Sequence, residues 1–225
     1  MQYIAGVSES LAIAARQWRV GDILALGNGP SLDAVDFSKV TIPTMGINRS
    51  CRVHVSEFHT MHDHPNLWKA YDESLPRSRD VPYPEGFALV EGEGRRKRGN
   101  ILFLFDPCNR SVERWMCRSI GIDFVCHSSG EYALVATAFL GFRKRIWVIG
   151  FDSNDNQGHA KSLITDEDTF IHDRTKKEKN YAIDRERLGH ARHFNLLAKE
   201  FQKIGVEVFN CNPGSAIKCW PFVTD

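Results

Sequence analysis

The stretch that decides the fold is Asp22-Ile23-Leu24-Ala25-Leu26-Gly27-Asn28-Gly29-Pro30-Ser31-Leu32. Its first five residues are mostly aliphatic and predict a short buried strand. The turn after it contains two glycines, which let the backbone pass close to a ligand. Ser31 or Asp33 can cap a helix that begins near Leu32, and the exposed amides of a helix start favour an anion. The stretch therefore predicts a phosphate cradle, although the same pattern also fits an ordinary βα turn.

This loop satisfies neither of the common phosphate-binding motifs. It lacks the lysine of a P-loop, and it lacks the third glycine of a dinucleotide fingerprint. The pattern consequently indicates a site near the first strand without naming the ligand.

The composition is that of an ordinary globular protein. The 225 residues are 42% hydrophobic and 25% charged, which suits a single α/β domain over residues 1–225. Lys and Arg number 29 against 28 Asp and Glu, so no overall positive field favours nucleic acid. Six cysteines without a CxxC pair indicate free thiols in a reducing compartment. We find no signal region and no apolar run of membrane-spanning length, so we expect a cytoplasmic protein without a membrane span.

Hydrophobic periodicity predicts alternating strands and helices, which is typical of a mostly parallel, Rossmann-like α/β sheet with helices on both faces. The predicted strands are residues 22–26, 44–47, 57–61, 87–90, 101–105, 124–126, 145–149 and 206–209. The predicted helices are residues 7–18, 33–37, 66–71, 109–120, 131–142 and 183–204. Residues 153–182 are polar without a clear period, and we expect them to form a small mobile lid.

Polar residues follow many of the predicted strands. In parallel sheets ligands bind outside the carboxyl ends of the strands, so these residues predict one binding crevice. They are Asn28, Asn48, Asp63, Ser128, Ser129, Asp152, Asn212 and Ser215. Asp152 could bond a substrate hydroxyl or orient its loop, but an Asp after a strand is equally a routine turn cap.

The order of these motifs resembles the bacterial lipooligosaccharide sialyltransferases and the related flagellin-glycosylating (motility accessory factor) proteins. The resemblance covers most of residues 22–217, and each motif in it is short. The matching segments are Gly27–Leu32, Asn48, Ser128–Gly130 with the apolar helix behind it, Ile146–Asp152, Gly189-His190 opening a helix, and Asn212–Ser215.

This resemblance implies an inverting, metal-independent glycosyltransferase without a cofactor, which uses a nucleotide-sugar donor similar to CMP-sialic acid. It implies that His190 is the general base, with Asp152 as a further catalytic candidate. A histidine suits that task because its reference pKa of ~6.5 leaves it able to accept a proton near neutral pH. The implied donor-binding residues are Gly27, Asn28, Gly29, Ser31, Asn48, Ser128, Ser129, Gly130, Asn154, Asn212 and Ser215.

The chain departs from the family pattern after Asp152. The family places two tyrosines there to stabilise the departing phosphate, whereas Asn154 stands at the first of these places. No tyrosine occurs from residue 133 to residue 180. Other residues that could take this task are His159, Lys161 and Tyr181.

Two alternatives stay open. Archaeal hydroxymethylpterin diphosphokinase-like proteins have a similar Gly-Asn-Gly-Pro-Ser loop, and that likeness would make His62, Asp63 and Asp152 candidate magnesium ligands. The basic run Arg95-Arg96-Lys97-Arg98 is either a solvated loop or a binding site for an acidic acceptor. The acceptor can be a glycan, a protein or a nucleic acid. A nucleic-acid-binding module using this run is the third hypothesis, and an oligomer is possible in each case.

Overall fold

The computed structural model describes residues 21–54, 56, 58–62, 101–105, 111–141, 145–152, 160–163 and 180–223. In this part of the chain six strands form one sheet in the order β4-β3-β2-β1-β5-β6, and every pairing is parallel. The strands are β1 (Asp22–Leu26), β2 (Thr44–Ile47), β3 (Phe58–His62), β4 (Ile101–Phe105), β5 (Arg145–Ile149) and β6 (Glu207–Asn210).

Three α-helices and four short 3₁₀ helices belong to the described residues. The α-helices are α1 (Ser111–Ile120), α2 (Ser129–Phe139) and α3 (Asn180–Lys203). The 3₁₀ helices are Pro30–Ala34, Phe37–Lys39, Asn48–Arg52 and Lys161–Leu163. Every residue of α2 from Glu131 to Ala138 is buried, because this helix is apolar on all sides and packs across β1 to β4.

Strand β1 explains why both faces of the sheet are covered. Successive side chains of a strand point to opposite faces. Ile23 and Ala25 join the larger core with α1, α2 and α3, while Leu24 and Leu26 join a smaller core. The smaller core also contains Leu32 and Leu163 of the 3₁₀ helices. A strand buried on both faces reads as one apolar run, which is how the sequence predicted it.

Two predicted elements differ from the structure. The helix expected from Leu32 is instead the 3₁₀ turn Pro30–Ala34, whose N-cap Gly29 makes no side-chain cap. Residues 124–126 form no strand and pair with no strand in the described residues. Phe124 and Cys126 are buried while Val125 is exposed, so packing alone produces a strand-like alternation. The amide of Cys126 donates to the Glu113 carboxylate of α1, at 2.5 Å, instead of to a strand.

The remaining predicted elements match in position or lie outside the described residues. Helices predicted at 109–120, 131–142 and 183–204 correspond to α1, α2 and α3. Because α3 already begins at Asn180, Gly189-His190 lies inside this helix and does not open it. The helices at 7–18 and 66–71 and the strand at 87–90 lie outside the described residues.

Candidate functional site

The candidate site lies where the strand order reverses. The chain runs from β1 outward through β2, β3 and β4, and then returns to β5 on the opposite side of β1. Such a switch point leaves a crevice outside the carboxyl ends of the two central strands. The loop Gly27–Ser31 follows β1, and Gly150–Asp152 follows β5.

The two glycines of the β1 loop let this loop meet the β5 loop. The Gly27 amide donates to the Ile149 carbonyl at 2.7 Å, and the Gly29 amide donates to the Gly150 carbonyl at 2.8 Å. A Cβ built on Gly27 would lie 2.3 Å from the Gly150 oxygen, and one on Gly29 would lie 2.4 Å from Oδ2 of Asp152. The space that these glycines leave is therefore filled by the protein itself, where the sequence predicted a ligand.

Asp152 is the centre of the hydrogen bonds that join these loops. Its side chain is buried, and Oδ2 accepts from the Ser31 amide at 2.7 Å. Oδ1 accepts from the Ser31 hydroxyl at 2.5 Å and from Nδ2 of Asn212 at 2.5 Å. The Ser31 oxygen in turn accepts from the Gly150 amide at 2.9 Å. Both carboxylate oxygens are thus engaged by protein donors, an arrangement that orients loops after β1, β5 and β6.

Within the described residues, Asn28 carries a buried acceptor without a partner in the loop after β1. Its carbonyl accepts from the Ala160 amide at 2.8 Å, which holds the backbone in place. Its side-chain Oδ1 is buried and has no hydrogen-bond partner among the described residues. A buried amide oxygen without a donor costs about 1–3 kcal/mol, so a ligand group that donates there would be favoured.

A piece of the predicted lid packs against this loop. Ala160 and Leu163 are fully buried, and the Ser162 amide donates to Oδ1 of Asp33 at 3.2 Å. The Arg52 guanidinium donates to the Leu163 carbonyl at 2.5 Å. Residues 160–163 therefore connect the loop after β1 with the 3₁₀ helix after β2. Of the predicted lid, the structure describes only these residues and 180–182, which begin α3.

The residues predicted to hold the nucleotide lie at the start of α2. Ser128 is the N-cap, and Glu131 completes a capping box by accepting from the Ser128 amide at 3.2 Å and the His127 amide at 2.5 Å. Burial raises the pKa of Glu131 to about 7, against the two amide hydrogen bonds, and nearby Glu113 adds to the rise. A Cβ on Gly130 would lie 3.1 Å from the Phe151 ring, so the start of α2 packs on the β5 loop.

A histidine pair that sequence reasoning missed connects α3 to this position. The His127 and His193 rings lie 3.8 Å apart between centroids, with an angle of 35° between their planes. His190 lies one helical turn before His193 on α3, where residues three apart share a face. The side chain of His190 lies outside what the structure describes.

The loop after β6 is built around the β5 loop. Ser215 is buried, and its hydroxyl donates to the Phe151 carbonyl at 2.7 Å while accepting from the Ile217 amide at 3.0 Å. Oδ1 of Asn212 accepts from the Gly214 amide at 2.9 Å. Both predicted donor-binding side chains are thus engaged in holding their loop and Asp152.

Several predicted residues are not described. Asn154, His159, Asp63 and the basic run at 95–98 lie outside the described residues, as do the side chains of His62, Lys161 and Tyr181. Within the described ranges, no three His, Cys, Asp or Glu side chains are grouped to hold a metal. The same ranges contain no helix with the length and apolar character that crossing a membrane requires.

The fold and these loops define an α/β protein of the Rossmann-like class, as the sequence predicted. Its structure is similar to that of the sialyltransferase CstII from Campylobacter jejuni in complex with a substrate analogue, cytidine-5′-monophosphate. The TM-score is 0.51 at 12% identity, covering 92% of this chain and 86% of that one. A structure of the sialyltransferase CST-II with a trisaccharide acceptor and CMP has a TM-score of 0.44 at 11% identity, covering 89% and 84%. No family model matches the sequence, and no curated protein matches it.

Proposed function

We propose that this protein transfers a sugar from a nucleotide-sugar donor, similar to CMP-sialic acid, to an acceptor hydroxyl. The observation that carries the proposal is the buried, unpaired Oδ1 of Asn28 at the strand switch point. Nucleotides and sugars are rich in hydroxyl and amino donors that would satisfy such an oxygen. The order of motifs along the chain and the fold shared with a CMP-bound sialyltransferase support the same class of ligand.

In this proposal the crevice binds the donor and α3 supplies the base. Asn28 and Asn48 contact the phosphate and ribose, and Oδ1 of Asn28 accepts from a ribose hydroxyl because the ionised phosphate has no proton to donate. Ser128, Ser129 and Gly130 contact the nucleotide. The His190 imidazole takes the proton from the acceptor hydroxyl as that oxygen attacks the anomeric carbon and the nucleotide leaves. Asp152 keeps the β1 and β5 loops in place, since its two oxygens accept three hydrogen bonds. The transfer inverts the configuration at the anomeric carbon and needs no metal.

The first test is the binding of nucleotides without metal. We expect CMP or a related pyrimidine nucleotide to raise the melting temperature in EDTA, and Asn28→Ala to abolish most of that rise. ATP that raises it only with Mg²⁺ would favour the diphosphokinase alternative. If no nucleotide raises it, the proposal is wrong.

The second test separates binding from catalysis. His190→Ala should keep nucleotide binding but reduce release of the nucleotide from a donor, with acceptor present, by about 10²- to 10⁴-fold, the usual effect of losing a general base. Arg192→Ala, at an exposed position on the same helix, is the matched control and should retain the activity. Equal activity of the His190 and Arg192 variants would exclude His190 as the base.

A further inference from the structure

The turn after β2 has an unusual backbone. Asn48 has a φ of +48°, the one positive φ among the described residues other than glycine. Asparagine tolerates the left-handed region better than most residues, but the region is still sparsely populated without support. Asn48 directly follows β2, which pairs with β1, at the carboxyl edge of the sheet. Its conformation decides where its side chain is presented.

His59, on the neighbouring strand β3, contacts this turn through its side chain. Its side chain is fully buried, and Nε2 lies 2.9 Å from the Asn48 carbonyl oxygen. A carbonyl can only accept, so Nε2 carries the proton and donates. Burial lowers the pKa of His59 to about 4, although the bond to Asn48 opposes this. The ring is therefore neutral at physiological pH and always presents the same donor.

The surrounding residues are shaped for this contact. Gly46 pairs with His59 in the parallel register of β2 and β3, and a Cβ on Gly46 would lie 2.3 Å from Nδ1 of the ring. The absence of a side chain at position 46 therefore makes room for the imidazole. On the other side of the turn, the Ser50 hydroxyl oxygen accepts from the Ile47 amide at 2.8 Å. The turn is thus held at Ile47 by Ser50 and at Asn48 by His59.

We propose that His59 is a positioning residue for donor binding: its Nε2–H holds Asn48 in the left-handed conformation that turns the Asn48 side chain to the donor. This inference rests on the proposed function, in which Asn48 contacts the donor. His59 itself is buried beneath the turn and touches no substrate. It acts only through the backbone of Asn48.

Two substitutions separate the hydrogen bond from the space that the ring fills. His59→Phe keeps a flat aromatic ring but removes the donor, whereas His59→Gln keeps an N–H of similar reach. We expect His59→Phe to weaken binding of CMP by about 5- to 30-fold, the effect of one lost hydrogen bond in a strained turn. His59→Gln should restore affinity to within about threefold of the natural protein. Phe201→Leu, in the core far along α3, controls for general loss of stability.

A double-mutant cycle distinguishes positioning from a merely structural role. In an Asn48→Ala background, His59→Phe should cause no further loss of CMP affinity, because the side chain that His59 orients is gone. Equal losses in both backgrounds, or a loss no greater than that of Phe201→Leu, would overturn the inference.

A second readout does not depend on nucleotide binding. A crystal structure of His59→Phe should show the backbone φ of Asn48 moved away from its positive value. A φ of Asn48 that stays near +48° would overturn the positioning role. If the natural protein binds no nucleotide while Asn48 does move, the proposed function fails and the support of this turn by His59 stands.

Discussion

Replacing Asp152 with asparagine tests the loop network most sharply, because the two side chains have nearly the same shape. An amide offers one acceptor oxygen where the carboxylate offers two. If its NH₂ takes the place of Oδ2, it faces the Ser31 amide, which donates across 2.7 Å. If its NH₂ takes the place of Oδ1, it faces Nδ2 of Asn212, which donates across 2.5 Å. Either orientation therefore leaves two donors facing each other in a buried site.

The loss of stability in Asp152→Asn should be large. A hydrogen bond to a charged group contributes about 1.5–3 kcal/mol, and an unsatisfied buried donor adds its own cost. We expect Asp152→Asn to lower the free energy of unfolding by about 2–4 kcal/mol, measured by urea denaturation at pH 7. The same variant should weaken nucleotide binding, because Asp152 would no longer align Ser31 and Asn212 with the loop after β5.

Asp36 provides a matched control. Its carboxylate also accepts from a serine amide, at 3.2 Å, and a serine hydroxyl, at 2.6 Å, both of Ser38, but it lies at the surface. Water can replace those bonds, so Asp36→Asn should leave the urea midpoint almost unchanged. If Asp152→Asn is as mild as Asp36→Asn, the network does not hold the site together.

Two further predictions concern pH and packing. The pKa of Glu131 is raised from 4.5 to about 7, so ionising it opposes folding, and its contribution to stability falls as pH rises from about 4.5 to 7. The pKa of His59 is lowered from 6.5 to about 4, so its contribution falls in the opposite direction, as pH drops from 6.5 to 4. Between pH 4 and 8, the urea midpoint of Glu131→Gln should therefore rise with pH more steeply than that of the natural protein. The urea midpoint of His59→Gln should rise with pH less steeply. Unchanged slopes would refute both pKa assignments. Gly29→Ala should lower the free energy of unfolding by about 1–3 kcal/mol, because its Cβ would overlap Asp152, and an unchanged urea midpoint would contradict this packing.

The sheet was predictable from the sequence to an unusual degree. The strands at 22–26, 44–47, 101–105 and 145–149 have the predicted bounds, because each is a mostly apolar run between turn residues. The segment at 124–126 was predicted as a strand, but its Cys126 amide donates to a carboxylate on α1. Nothing local in the sequence indicates that Glu113 would reach it.

The polar residues of the candidate site were predictable from the sequence, but the hydrogen bonds between them were not. Polar residues after strands predicted the carboxyl edge of the sheet, where the loops that bond to Asp152 lie. The bonds that Ser31 and Asn212 make to Asp152 join residues 121 and 60 positions apart, and no local pattern encodes such pairs. His59 was missed for a different reason: a histidine inside a short strand gives no sign in the sequence of which turn it contacts. Its contact with Asn48 depends on the parallel register of β2 and β3.

The decisive measurement is a crystal structure of the protein soaked with CMP in the absence of metal. We predict the nucleotide at the carboxyl ends of β1 and β5, with one of its hydroxyl or amino groups within about 3.2 Å of Oδ1 of Asn28. The His190 imidazole should reach the same pocket. A nucleotide bound at another edge of the sheet, or a His190 side chain directed away from Asn28, would contradict it.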